Sequence, residues 1–241
     1  RGSRRITLTE RGRLLKKRAE EMFELYDKTL TEISAPTAEL CGEVFIGGGE
    51  TQAMRAVVRT ALKVREKHPA VRFRFFSGDA SAVLEKLEKG LIDFGVMLDM
   101  NDLSAYNSLR LSHKDLWGAI VRKDSPLAQK EYVTPEDLNG QTLITSDQAF
   151  AKGMLAEWMK VSADKITVAA TYNLLYVGSQ LAEEGAGYAL GLEGIINTEG
   201  TNLCFRPLEP PVYNHADVIW KKFSVFSKPA EAFLAELKKD I

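Results

Sequence analysis

From residue 43 to the C-terminus, short runs of β-branched and aromatic residues alternate with stretches of helical periodicity. This alternation restricts the chain to α/β architectures. Strands are predicted at 43–47 and 71–75, helices at 51–67 and 80–89, and a buried strand at 93–98. Further strands are expected at 116–122, 142–145, 166–170, 188–190 and 218–226, with helices at 152–160, 174–184 and 229–239. Strands separated by helices favour mostly parallel pairing.

A different pattern precedes this region. Leu15, Ala19, Met22, Tyr26, Thr29 and Ile33 recur in alternating steps of four and three, and Leu14, Phe23 and Leu30 widen the stripe. Thr9 is a suitable N-cap, and Glu10 suits the positive end of the helix dipole. The expectation is a helix of about 25 residues, longer than the usual core helix, with Leu15, Met22, Tyr26 and Ile33 in an interchain seam. A helix folded back on its own domain is the alternative. Pro36 and Gly42 break the pattern.

The chain has 241 residues and a net charge of −1, but residues 1–18 hold eight basic residues against the single acid Glu10, leaving −8 on the remainder. One end therefore suits a polyanion and the rest does not. A hydrophobic content of 45% and a charged content of 27% describe an ordinary globular chain. No apolar run is long enough for a membrane span, and a cytoplasmic location is expected. Cys41 and Cys204 cannot form a disulfide framework, and His68, His113 and His215 lack a zinc spacing. No metal and no cofactor are expected.

Several chemical motifs fail in informative ways. Gly47-Gly48-Gly49 lies between a strand and a helix, yet no Gly-Lys-Ser/Thr follows, and Gln52 takes the third glycine position of a dinucleotide fingerprint. No Gly-x-Ser-x-Gly elbow or His-Glu-x-x-His is present. Asp99 and Asp102 read as solvent-facing loop acids. No residue pattern supports an enzyme.

The opening Arg1-Gly2-Ser3-Arg4-Arg5-Ile6-Thr7-Leu8-Thr9-Glu10-Arg11-Gly12 resembles the end of the winged helix-turn-helix domain of LysR-type transcriptional regulators, where a basic wing enters a long linker helix. Similar blocks follow in the family's order: His68-Pro69-Ala70-Val71, Ser77-Gly78-Asp79, the run 87–96, Asp124-Ser125-Pro126-Leu127-Ala128, and the run 181–190. The resemblance implies two Rossmann-like lobes, similar to the periplasmic-binding-protein fold, behind a linker helix. It assigns 1–9 to the remnant of the DNA-reading domain, 10–34 to the linker and dimerisation helix, and 43–241 to an effector-binding domain. The first lobe would comprise about 43–115 and 215–241, the second about 116–214. Implied partners are operator DNA, a small-molecule effector, and copies of the chain in a homodimer or homotetramer, with RNA polymerase a possible further one. Arg1, Arg4 and Arg5 would contact DNA in the full-length protein. Cys41 and Cys204 depart from the close cysteine pair of the family's peroxide-sensing branch.

The effector is expected between the lobes, near Thr51, Gly78, Asp79, Ser146, Phe150 and Tyr172. Several of these precede helices, where free backbone N–H groups and hydroxyls suit an anion, making an organic acid the first choice. Asp79 is the objection, since a carboxylate in the cleft would repel an acid. A solute-binding module is the alternative function, disfavoured by the basic segment and the long helix; a small-molecule enzyme is more distant.

Overall fold

The computed structural model describes residues 7–33, 40–100, 102–151 and 153–241. Arg1, Arg4 and Arg5 lie outside the described residues, as do the side chains of Ile33 and Phe150.

Helix α1 spans Glu10–Ile33. Thr9 caps it as its sequence suggests, its Oγ1 accepting the Gly12 N–H at 3.0 Å. The helix then leads to β1 (Gly42–Gly48), α2 (Met54–Lys67), β2 (Val71–Ser77), α3 (Ala80–Glu88) and β3 (Phe94–Leu98). A 17-residue strand, β4 (Tyr106–Arg122), carries the chain into the second half. There α4 (Pro135–Leu138), β5 (Thr142–Ser146), α5 (Asp147–Ala151), α6 (Met154–Met159), β6 (Thr167–Tyr172), α7 (Leu175–Glu183), β7 (Tyr188–Leu192) and β8 (Leu203–Pro207) follow. The strand β9 (Tyr213–Lys221) returns, and α8 (Lys228–Asp240) closes the fold.

The strand order is β2-β1-β3-β9-β4-β7-β5-β6, with β8 beside β4. Parallel pairing is confined to β1 with β2 and β3, and to β5 with β6 and β7. The expectation of mostly parallel pairing is corrected here. β9 runs antiparallel to β3 and β4, while β4 runs antiparallel to β7 and β8. The physical reason is that two long strands carry the chain out and back between two parallel sheets, so each meets its neighbours head to tail. The register of β4 against β9 shifts between Arg110 and Lys114, a bulge where the strand passes from one sheet to the other.

Each sheet has its own core. In the first lobe Val44, Ile46, Val57, Phe94, Val218 and Phe233 pack under α2 and α8, and Val83, Leu87, Met97 and Ile219 pack under α3. Helices on both faces bury β3 completely along Phe94–Met97, which explains its continuous apolar run. In the second lobe Leu143, Leu155, Trp158 and Leu190 form one side and Ile144, Tyr172, Leu175 and Ala189 the other.

Other differences are local. The expected strand at 218–226 begins earlier and stops at Lys221, and Phe226 leaves the sheet to stack on Phe94 at 4.9 Å between centroids. The expected helix at 152–160 is observed as α6, starting after Gly153 with its left-handed φ of 71°, and α5 before it has no counterpart among the expected helices. β8 has no counterpart among the expected strands.

Helix α1 lies against the first lobe through polar contacts. Lys28 Nζ donates to Asp93 Oδ1 at 2.7 Å and to the Gly90 carbonyl at 2.9 Å, and Lys89 Nζ donates to Glu21 Oε1 at 2.7 Å. Leu15, Met22 and Tyr26 point away from these contacts and are 71%, 72% and 57% exposed. The uninterrupted apolar stripe therefore faces outward, and the folded-back alternative accounts only for the opposite, charged face.

Candidate functional site

The parallel strands of both lobes end at one cleft, crossed by β4 and β9 at its back. In an open α/β sheet the space beyond the carboxyl ends of parallel strands is where ligands bind, because helix starts and loop residues converge there. The cleft has a volume of about 420 Å³, within the range of small-molecule sites. Glu50 follows β1, Gly78-Asp79 follow β2, and Asp99 follows β3; Ser146 ends β5, Tyr172 ends β6 and Asn173 follows it. Trp117 and Asn214 come from the crossing strands, with Trp117 Nε1 donating to Asn214 Oδ1 at 2.9 Å.

The structure brings together Gly78, Asp79, Ser146 and Tyr172 as the sequence suggests, but engages their polar atoms differently. Asp79 is the N-cap of α3, its Oδ1 accepting the Ala82 N–H at 2.8 Å. Gly78 lets β2 turn into α3, since a Cβ there would meet the Phe76 ring at 2.8 Å. Ser146 Oγ accepts the Ala149 N–H at 3.2 Å. The Tyr172 hydroxyl donates to the Leu190 carbonyl at 2.5 Å, and burial, with the nearby Glu50 charge, pushes its pKa up. Tyr172 thus lines the cleft while its hydroxyl is bonded inside the lobe.

Thr51 is placed differently from expectation. It is buried and does not line the cleft. Its hydroxyl donates to Asp115 Oδ2, and the Gln52 N–H donates to Asp115 Oδ1 at 2.9 Å. Asp115 is a fully buried carboxylate on β4, so Thr51 ties the start of α2 to the crossing strand. A buried carboxylate must find donors within the fold, and Thr51 is the nearest hydroxyl.

Glu50 is the residue that sequence reasoning missed. Its Oε2 accepts the N–H of Leu175, the first residue of α7, at 2.5 Å. A first-lobe carboxylate thereby caps a second-lobe helix, satisfying an open N–H and complementing the helix dipole. Beside it, Gln52 Nε2 donates to the Gly194 carbonyl, a second bond between lobes. The position of Glu50 directly after Gly47-Gly48-Gly49, just past the first strand, was the available signal.

Asp99 also requires correction. It lines the cleft and is not simply a solvent-facing loop acid; its Oδ1 accepts the His215 N–H at 3.0 Å, pairing the end of β3 with β9. With Glu50, Asp79 and Glu157 it makes four carboxylates around the cleft, and no lysine or arginine is among the described lining residues. Among the described residues no group of three or more potential ligands could hold a metal ion. No described helix is long and apolar enough to cross a membrane.

Comparison with known proteins agrees with this geometry. Residues 37–241 match the family of LysR substrate binding domains. The HTH-type transcriptional regulator YvbU of Bacillus subtilis is 22% identical over 240 residues, covering 98% of this chain and 80% of its own. The LysR family transcriptional regulator CbnR has a similar fold, with a TM-score of 0.74 at 12% identity over 97% of this chain and 81% of that one. The effector binding domain of QuiR, solved in complex with shikimate, gives a TM-score of 0.71 at 16% identity over 83% and 97% of the two chains. With two lobes, a shared cleft, a leading helix and a family match across most of its length, the chain belongs to the LysR substrate binding domain family, the effector-binding part of LysR-type transcriptional regulators.

Proposed function

We propose that this chain senses a small molecule in the interlobe cleft and passes the signal to DNA through the arrangement of α1 and its dimer partner. The supporting observation is that Glu50 and Gln52 of the first lobe hold α7 and Gly194 of the second across the cleft mouth. A ligand entering there competes with or completes these bonds and so has unequal affinity for two lobe arrangements. Such inequality is what a switch needs, because equal binding to both arrangements shifts nothing. α1 is fastened to the first lobe by the Lys28–Asp93 pair, with both side chains about nine-tenths buried, so a change at the first lobe would move the helix with it.

The stripe containing Leu15, Met22 and Tyr26 is the proposed dimer seam, and further contacts between effector domains would give the tetramer. Arg1, Arg4 and Arg5 belong, in this reading, to a wing that contacts DNA phosphates and positions more than specifies. The related CbnR has been solved full-length with its target DNA. A cytoplasmic location and the absence of enzymatic activity follow from the same role.

A thermal-shift screen of metabolites tests this reading, because a ligand that prefers the folded state raises the melting temperature. The expectation is a saturable rise that Trp117→Ala or Asn214→Ala reduces. Chemical conversion of the stabilising compound on incubation would instead favour an enzyme.

A further inference from the structure

We propose that the cleft selects a small organic cation, an amine or guanidine, and discriminates against organic acids. This deepens the reading of the cleft as the effector site and rests on it. The cleft is already a cavity formed by two lobes; its polar groups decide what charge it can hold.

An acid would need donors, and three helix-start N–H groups at the strand ends are already engaged by the protein itself. Asp79 accepts the Ala82 N–H of α3, Glu50 accepts the Leu175 N–H of α7, and Ser146 accepts the Ala149 N–H. The Thr51 hydroxyl is turned to Asp115, away from the cleft. One N–H at each of these helix starts is therefore already taken by the chain's own side chain, which weakens them as anion sites.

Among the described lining residues the formal charge has one sign. Glu50, Asp79 and Asp99 approach from the first lobe and Glu157 from the second, and no lysine or arginine is among the described lining residues. A carboxylic acid placed between them would lose water beside like charges, with no lysine or arginine among the described lining residues to offset them. An ammonium or guanidinium would meet carboxylates from both lobes and favour their approach. Glu50 and Asp79 each cap with one oxygen, leaving the other as an acceptor. Asn173 and Asn214 supply neutral amides, and Trp117 and Met154 supply apolar surface for the ligand's carbon skeleton. Among the described residues no group of carboxylates could hold a metal ion, which points to an organic cation.

Matched titrations with butylammonium and butyrate at constant ionic strength, followed by NMR of the Trp117 indole N–H, test this. Trp158 and Trp220 do not line the cleft and serve as internal controls. Butylammonium should move the Trp117 signal and bind at least about tenfold more tightly than butyrate, as expected where like charges are juxtaposed for one ligand only. Asp79→Asn combined with Glu157→Gln, which keeps shape and capping oxygens, should weaken butylammonium about tenfold and leave butyrate unchanged or improved. Butyrate binding as tightly or more tightly would overturn the cation assignment while leaving the cleft as a ligand site. An ammonium preference indifferent to both substitutions would overturn the assigned carboxylates. If neither probe moves Trp117, the cleft reading fails with it.

Discussion

The Glu50 carboxylate reaches from the end of β1 to the first N–H of α7, 125 residues later in the chain, and accepts it at 2.5 Å. This bond joins the two lobes at the point where their parallel strands end. It is both a helix cap and an interlobe contact, and its loss should be visible in both respects.

Glu50→Ala should expose the Leu175 amide and loosen the cleft. Removal of a charged helix cap costs about 1–2 kcal/mol. Denaturant unfolding should register that loss, and hydrogen exchange should accelerate at residues 174–177 while the core strand β3 remains protected. Unchanged exchange at α7 would remove Glu50 from this role.

Fastening of α1 to the first lobe should depend on Asp93. Its Oδ1 accepts Lys28 Nζ at 2.7 Å and its Oδ2 accepts the Phe45 N–H at 2.8 Å, with Lys28 also lying over the Phe45 ring at 4.9 Å. Asp93→Ala would remove a buried carboxylate partner of the Lys28 ammonium, at a cost of about 3 kcal/mol. Limited proteolysis should then release α1 before the domain unfolds. Cleavage at the unaltered rate would show that other contacts hold the helix.

Charge placed on the outward stripe of α1 should weaken self-association. Met22→Glu with Tyr26→Glu would require desolvating two carboxylates in an apolar seam, raising the dimer dissociation constant by on the order of a hundredfold. Sedimentation velocity measures this directly, and an unchanged mass at low micromolar concentration would exclude the seam.

Acid sensitivity should reside partly at the α2–α8 contact. Lys63 and Thr60 donate to the Asp240 carboxylate and hold its pKa below the ordinary value of 3.8. A carboxylate depressed in the folded state contributes stability above its unfolded pKa and loses it as pH falls through the folded value. Asp240→Asn should therefore lower the melting temperature at pH 7 and flatten its decline below about pH 4. An acid limb identical to that of the parent would place the sensitive carboxylates elsewhere.

Much of this architecture is legible in local sequence. Thr9 announces the start of α1, and Phe94 to Met97 announce a strand covered on both faces, because capping and burial leave their mark on adjacent residues. The antiparallel crossing of β4 and β9 is not announced, since pairing partners such as Leu109 and Val218 are separated by much of the chain. The same limit governs the site. Asp79 and Ser146 reveal themselves by preceding helices, whereas Thr51 looks equally available until Asp115 arrives from β4 to engage it. Glu50 shows no local partner because that partner belongs to the other lobe.

Hydrogen–deuterium exchange on the protein, with and without its best-stabilising metabolite, most directly tests whether the ligand acts between the lobes. Protection should appear together in the first-lobe segments 49–52 and 78–82 and the second-lobe segments 146–149 and 172–175, with altered exchange in α1. Protection confined to one lobe, or an unchanged cleft, would contradict interlobe sensing.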